Sequence, residues 1–285
     1  MRKKSYAKLN IALNVLDKSK PKGLHSLDMV NVKINLFDTI YLLIKKKEGN
    51  DIIIECNDKN IPLDNSNFVY KVVEKFKKVF SLSFSCKIKI NKRIPIQAGL
   101  AGGSSNAAAV LELLDKKFKT KMTIIQKINF LKTITSDGPF MLVDKPCRVK
   151  GNGEIIEPLK SKINFNVLIV KPFSGCATKD VFNTLDYKNI KRVNINKLCD
   201  NFEKNDMLSA SLCIGNSLVS SAINIVPEIE DILNRLKACD FEIVSMSGSG
   251  STCFAISKRK YPFKKAKELF DKSKYSLVEV CRIKN

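Results

Sequence analysis

The chain has 285 residues, 44% hydrophobic and 27% charged, with 50 Lys and Arg against 28 Asp and Glu and a formal charge of +22. That length holds one large domain or two small ones around a sizeable core, and no apolar run approaches the ~18 residues of a membrane span. The lysines are spread along the whole chain, without an Arg-rich stretch or any Trp, so the charge favours encounter with anionic ligands without marking a nucleic-acid face.

The opening "MRKKSYAKLNIALNVL" is basic and then apolar, but Asn10 and Asn14 interrupt it and no small-residue cleavage site follows. It reads as a strand of a cytoplasmic protein, not as a signal peptide. "MVNVKINLFDTIYLLIKK" and "DIIIEC" are predicted strands with Gly49-Asn50-Asp51 as the turn between them. "SNFVYKVVEKFKKVF" spaces its apolar residues as a helix does, behind Ser66 as a possible cap. "FSCKIKINKRIPI" alternates as a strand and enters a loop of small residues. Helices are predicted from about Ser104 to Lys116 and Ile124 to Thr133, then short strand pieces and the turn-rich "KGNGEIIEPL".

A soft domain boundary falls near Leu159, giving 1–159 and 160–285. "FNVLIVKP" reads as a buried strand, with helical patterns at Thr178–Leu185, Asn216–Asn224 and Pro227–Cys239. The strands "FEIVSM" and "TCFAIS" flank the loop "SGSGS", a helix starts near Pro262, and "YSLVEVCRI" is the last strand. This order suits an α+β or α/β protein whose left-over strands pair antiparallel. The nine cysteines include no C-x-x-C pair and there is one histidine, His25, so they read as reduced apolar fillers, not as a zinc site or a disulfide framework.

Chemistry concentrates in four places. In "IPIQAGLAGGSSNAAAVLELL", Gly99, Gly102 and Gly103 permit close backbone approach, and Ser104 and Ser105 stand where the helix should cap. The stretch is neither a Walker A nor G-x-G-x-x-G. A plain turn feeding a helix and an anion site at a helix N-terminus both remain open. "MSGSGSTCF" is either a strand-to-strand turn or a second phosphate-facing nest around Gly248, Ser249 and Gly250. Asp137 in "SDGPF" marks a turn or meets a reacting hydroxyl, and Lys8 beside Asn10 either faces solvent or supplies a cation.

Together, in this order, the segments "AKLNIAL", "GLHSLDMV", "RIPIQAGLAGGSSNAAAVL", "SDGPFML", "GNGE" and "MSGSGSTCF" resemble the GHMP superfamily of small-molecule kinases over almost the whole chain. The "AKLN" start and the G-x-H segment narrow the resemblance to the branch that phosphorylates the 2-hydroxyl of a cytidine diphosphate-linked methylerythritol in non-mevalonate isoprenoid and terpenoid precursor biosynthesis. The resemblance implies an α+β protein of two α/β domains, a ribosomal protein S5 domain 2-like half and a ferredoxin-like half. It implies that Pro95, Ile96, Gln97, Ala98, Gly99, Leu100, Ala101, Gly102, Gly103, Ser104 and Ser105 wrap the ATP phosphates, with Mg2+ carried on the nucleotide and no metal site of the protein's own. Asp137 would be the base or orienter of the hydroxyl and Lys8 its cationic partner. Asn67 would border the adenine pocket. His25 would meet the cytosine edge and Phe182 would stack on it, with Asn10 and Thr178 nearby.

Three departures accompany the resemblance. Leu24 replaces the usual tyrosine before the histidine, a loss of roughly 1–3 kcal/mol of base stacking if uncompensated. Ala101 replaces a glycine, which requires φ < 0 or strain. Gly138 replaces the valine of "ADVPF" and is expected to loosen the backbone beside Asp137. Other readings stay open: another kinase of the superfamily acting on homoserine, a sugar or mevalonate; a basic nucleic-acid-binding protein on this fold; and a degenerate kinase that binds nucleotide without turnover. The favoured reading needs no nucleic acid and no membrane, and works as a monomer or homodimer.

Overall fold

A computed structural model describes residues 1–20, 24–46, 49–160 and 165–284. The chain divides into two compact units, each assembled from separated stretches. The first holds Met1–Ala7, Leu36–Ile94 and Ala101–Val143, and the second holds Lys8–Asn35, Pro95–Leu100 and Asp144–Asn285. Residue 159 therefore lies inside the second unit, and the first compact division of the chain comes within its first strand. The reason is the length of the first two strands, β1 (Arg2–Lys20) and β2 (Leu24–Lys46), which each contribute residues to both units.

In the first unit, the later part of β2 pairs antiparallel with β4 (Ser85–Asn91), from Thr39 opposite Asn91 to Lys46 opposite Ser85. β3 (Ile52–Cys56) pairs parallel with β4, Ile52 opposite Cys86 through Cys56 opposite Ile90. A parallel neighbour needs a crossover. Helix α1 (Phe68–Val79) supplies it, burying Val69, Val72, Val73 and Phe76 at helical spacing. Asn67 caps α1, and Ser66 instead bonds back to Asp64.

Helix α2 (Gly102–Phe118) packs on α1. Its small residues let it sink: every position from Ser104 to Leu111 is buried. α2 starts before the serines expected to cap it. Its N-cap is Ala101, in a left-handed conformation, so Ser104 and Ser105 belong to the first turn. Helix α3 (Ile124–Leu131) carries a full capping box from Thr123 and Gln126, and a 3-10 turn spans Phe140–Leu142.

In the second unit, β5 (Cys147–Gly151) pairs antiparallel with β2 and with β6 (Ile155–Pro158). β7 (Asn166–Lys171) lies between β10 (Leu277–Lys284) and β9 (Cys253–Ser257), and β9 pairs on with β8 (Ile243–Met246), all antiparallel. The far end of β10 reaches β2, Ile283 opposite Ile34. Helices α4 (Thr178–Asn183), α7 (Val219–Ile225), α8 (Glu228–Lys237) and α9 (Tyr261–Leu269) match predicted elements within a few residues. Two more helices, α5 (Ile195–Glu203) and α6 (Met207–Ser211), lie where no helix was predicted. They start at Asn194 and Asp206, each of which caps through its side chain.

Seven of the nine cysteines are buried. Burial pushes the Cys86 thiol up to about 11 and the Cys147 thiol up to about 12, so both act as inert filling. Among the described residues no helix is long and apolar enough to cross a membrane.

Candidate active site

In the second unit the two glycine loops lie against each other. The amides of Ser251 and Thr252 donate to the carbonyls of Gln97 and Ala98, both at 3.4 Å. The Ser247 hydroxyl donates to the Gly99 carbonyl at 2.9 Å and accepts from the Asn10 amide at 3.1 Å. The Lys8 amide donates to the Leu100 carbonyl at 3.1 Å. Five hydrogen bonds, among one serine hydroxyl and eight backbone groups, thus tie β1, residues 97–100 and residues 247–252 into one assembly.

Gly99 is indispensable to it. Its φ is +68°, and a Cβ there would sit 2.0 Å from the Ser247 carbonyl oxygen. Ala98 and Leu100 are buried anchors, while Pro95 and Ile96 are half-buried and Gln97 is exposed. Gly248 and Gly250 also take positive φ, and the Ser249 hydroxyl meets that of Thr178 at 3.0 Å.

Lys8 does not face solvent. β1 is buried on both faces from Ala7 to Val15, and Lys8 is 4% exposed. Its ammonium donates to Asn10 Oδ1, two residues on and on the same face of the strand. Asn10 Nδ2 in turn donates to Asn31 Oδ1 at 2.7 Å. Among the described residues Asn31 Nδ2 and Thr252 Oγ1 are buried without a hydrogen-bond partner, so the assembly keeps donor capacity in hand.

His25 and Phe182 come together although 157 positions separate them in sequence. Their rings stack with centroids 4.3 Å apart and 14° between planes. One face of Phe182 is therefore covered by imidazole, and a base stacking on Phe182 would use the other face or part the two rings. Gly23 and the side chain of Leu24 lie outside the described residues.

The first unit holds the other predicted residues. Ala101 has φ 55° and ψ 34°, so the strained alternative expected for its side chain is the one that occurs. Ala101 offers no side-chain cap, which leaves the first amides of a long helix for an anion. Gly103 approaches the Phe68 ring: a Cβ there would lie 3.4 Å from it. The Ser104 hydroxyl pairs with that of Thr135 at 2.6 Å, and Ser105 is buried. Asn67 spends its side chain on structure, accepting from the Val69 amide at 2.9 Å and donating to the Pro62 carbonyl at 2.7 Å.

Asp137 is half-buried on the turn before the 3-10 segment, and its carbonyl accepts from the Met141 amide. Gly138 does not loosen that turn. It is buried, and a Cβ would come within 2.9 Å of Thr135 Cγ2 and 3.0 Å of Leu131 Cβ. The glycine is there because α3 and its exit pass too close for a side chain.

Residues 67–140 match the GHMP kinases N terminal domain and residues 198–275 match the GHMP kinases C terminal. A 4-diphosphocytidyl-2-C-methyl-D-erythritol kinase of Clostridium perfringens is 35% identical over 289 aligned residues, covering all of this chain and 99% of that one. One of Lachnoclostridium phytofermentans is 37% identical over 254 residues, 89% of this chain and 86% of that one. The chain belongs to the GHMP kinases. It is a small-molecule kinase with ATP as phosphate donor. Its fold matches a crystal structure of 4-(cytidine 5'-diphospho)-2C-methyl-D-erythritol kinase with a TM-score of 0.80 at 22% identity, each chain fully covered. A homoserine kinase of Cytophaga hutchinsonii follows at 0.74 and 18%, covering 98% of this kinase and 95% of that chain.

Sequence reading passed over four residues of this kinase's second unit. Ser247 lay inside a quoted motif without a role. Asn216 holds the second glycine loop through Nδ2, which donates to the Met246 and Gly248 carbonyls at 2.8 Å each. Lys171, 3% exposed at the end of β7, donates to the carbonyls of Pro172, Phe173 and Ser174. Desolvation holds its ammonium below the usual lysine range. The strand it ends is apolar from Val167 to Val170, which was the available signal. The segment it braces also touches both loops: the Cys176 amide donates to the Gln97 carbonyl, and the Ser251 hydroxyl to that of Ser174. The fourth residue is Tyr187, whose hydroxyl meets His25 Nδ1 at 2.7 Å.

Proposed function

We propose that this kinase transfers the γ-phosphoryl group of ATP to the 2-hydroxyl of 4-diphosphocytidyl-2-C-methyl-D-erythritol, in the cytoplasm, as a step toward isoprenoid precursors. The observation that supports this acceptor is the stacked His25–Phe182 pair, in a chain whose full-length relatives are named for a cytidine diphosphate compound. Residues 95–105 cradle the phosphates, using backbone amides and the start of α2. We infer a domain boundary near residue 159, a position between the two matched segments.

Phosphoryl transfer asks a protein mainly for positioning and for charge neutralisation. Asp137 takes or orients the proton of the acceptor hydroxyl. Lys8, held by Asn10 and out of water, supplies positive charge for the oxygen that becomes nucleophilic. Mg2+ carried on the nucleotide would supply charge neutralisation for the phosphates, and the hydroxyls of Ser104 and Ser105, in the first turn of α2, are the protein groups that would meet it. Asn10, His25, Thr178 and Phe182 bind the acceptor, and Asn67 borders the adenine through its position at the start of α1. Neither nucleic acid nor membrane takes part, and the working unit is a monomer or a homodimer.

The test is ATP consumption with the cytidine compound, homoserine and mevalonate side by side, with Asp137→Asn as control. Turnover is expected with the cytidine compound alone, and the variant should lose about 10²–10⁴-fold in kcat. Turnover of homoserine or mevalonate instead would overturn the acceptor while leaving the kinase.

A further inference from the structure

Asn10 is fully buried, and its amide and both polar atoms of its side chain are held. The amide donates to Ser247 Oγ at 3.1 Å. Oδ1 accepts from the Lys8 ammonium. Gly248 packs over that oxygen so closely that a Cβ at position 248 would lie 3.2 Å from it. Nδ2 donates to Asn31 Oδ1 at 2.7 Å and to Met29 Sδ at 3.2 Å. Met29 and Asn31 stand two residues apart on β2, which pairs with β1, so they share one face of the sheet with Asn10.

One orientation of the Asn10 carboxamide suits these neighbours. A lysine ammonium only donates, and a thioether sulfur only accepts. Lys8 therefore takes Oδ1 and Met29 takes Nδ2, and both demand the same orientation. Asn31 completes it by turning its own oxygen toward Asn10. Turned over, Asn10 would set an NH2 group against a cation. Asn31 is itself fully buried, and among the described residues its Nδ2 has no hydrogen-bond partner. An unpartnered N–H in the interior costs stability, which an apolar side chain at this position would avoid. Packing thus gives no reason for asparagine at position 31, and the oxygen it offers Asn10 does.

We propose that Asn31 is a positioning residue for phosphoryl transfer: its Oδ1 fixes the Asn10 carboxamide with the oxygen toward Lys8, and so keeps the ammonium where the acceptor hydroxyl needs it. The proposal rests on Lys8 serving as that cation. Asn31 touches no substrate; it acts through Asn10. Gly248 belongs to the same arrangement, since a side chain there would press on the oxygen that Lys8 uses.

The test is a double-mutant cycle on the intact enzyme, Asn31→Leu against Lys8→Met. It is read as kcat and KM with the cytidine compound, or with homoserine or mevalonate if one of these is the acceptor turned over. Lys8→Met alone should lose about 10²–10³-fold in kcat. Asn31→Leu should lose about tenfold, the worth of one net hydrogen bond, with KM for ATP unchanged. In the Lys8→Met background the same substitution should change kcat by no more than about twofold. Asn31→Leu removes one unpartnered donor and weakens the bonding of another, so its thermal midpoint should stay within about 4 °C of wild type. Asn31→Asp keeps an oxygen where Asn10 needs one and should recover most of the loss. Asn31→Ser, too short to reach Asn10 Nδ2, should repeat the tenfold loss without added bulk.

An unchanged kcat in folded Asn31→Leu or Asn31→Ser enzyme overturns the proposal. So does a loss of equal size with and without Lys8, because a residue that merely packs acts without regard to the lysine. An ordinary kcat in Lys8→Met overturns the role given to Lys8, and with it the role of Asn31; the single variant shows this, so it is told apart from a failure at Asn31 alone.

Discussion

The glycine-loop assembly and the His25 cluster lie in the same unit and are built on opposite plans. The first is made of backbone: amides of Ser251, Thr252 and Lys8 reach carbonyls of Gln97, Ala98 and Leu100, and side chains mostly stay out of the way. The second is made of rings, with Phe182 and Tyr187 holding one imidazole from 157 and 162 positions away in the chain. A backbone-built site needs small residues in unbroken runs, so any added atom is a collision. A ring-built site needs single residues at distant positions, and each can be weakened without destroying the rest. The difference predicts how each region fails.

The largest expected effect is at Gly99. Gly99→Ala combines an unfavourable φ of +68° with a Cβ 2.0 Å from the Ser247 carbonyl oxygen and 3.2 Å from the Gly250 amide nitrogen. Either residues 97–100 or residues 247–250 must move by an ångström or more. Displacement of that size costs about 10²-fold in rate even in a folded enzyme. Steady-state kinetics should show kcat/KM falling for ATP and for the acceptor together. A Gly99→Ala enzyme with ordinary kinetics would break the comparison, because it would show that the backbone loops tolerate what the geometry forbids.

Lys171 stands between the two plans, a side chain whose task is to brace backbone. Lys171→Met should cost about 2 kcal/mol in stability, since it strips charged hydrogen bonds from buried carbonyls while relieving a desolvated ammonium. The pH dependence separates these two effects. Desolvation lowers the folded-state pKa of Lys171 below the ordinary lysine value of 10.5. Between those two values the unfolded chain binds more protons than the folded one, so stability rises with pH across that window. The destabilising charge is fully present below the folded pKa and is lost as pH climbs through it. Denaturant titrations from neutral pH upward should show this rise in the wild-type enzyme and a smaller one in Lys171→Met. Equal slopes would mean that the ammonium is not desolvated as its burial implies.

The same contrast governs what could be read from the sequence. The strands of alternating and apolar character, the helices α1 and α8, and both glycine loops were legible because each is a local pattern within a short window. The two units were not. They are stitched from stretches that recur along the chain because β1 and β2 are long enough to serve both, and no composition shift marks a change in the middle of a strand. Helices α5 and α6 are short and rest on side-chain caps at Asn194 and Asp206, signals weaker than periodicity. Of the candidate site residues, Lys8, Asp137 and residues 95–105 stood out as motif residues. Tyr187 did not, since a tyrosine in "TLDYKN" means nothing until His25 is placed beside it. Gly138 was legible as a departure and misread, because only neighbours such as Leu131 show that it answers to crowding.

The smallest effect tests a place where a side chain intrudes on the backbone plan. Ala101 opens α2 at φ 55° and ψ 34°, a region that costs an L-residue about 1–2 kcal/mol and glycine almost nothing. Glycine gives part of that back through the greater freedom of its unfolded chain, so Ala101→Gly should stabilise the protein by about 0.5–1 kcal/mol. Thermal unfolding can measure this against an internal control, because the same helix ends at Lys119 with φ 54° and ψ 39°. Lys119→Gly relieves the same strain at a C-cap outside residues 95–105. Equal gains at both ends would mean that Ala101 is ordinary left-handed strain, carried because the loop works well enough with it. A gain at Lys119 and none at Ala101 would mean that the methyl group contributes something at the mouth of α2, such as limiting the freedom of the turn proposed to hold the phosphates. The first outcome leaves the loop a pure backbone device, and the second makes Ala101 the side chain on which this kinase's version of it depends.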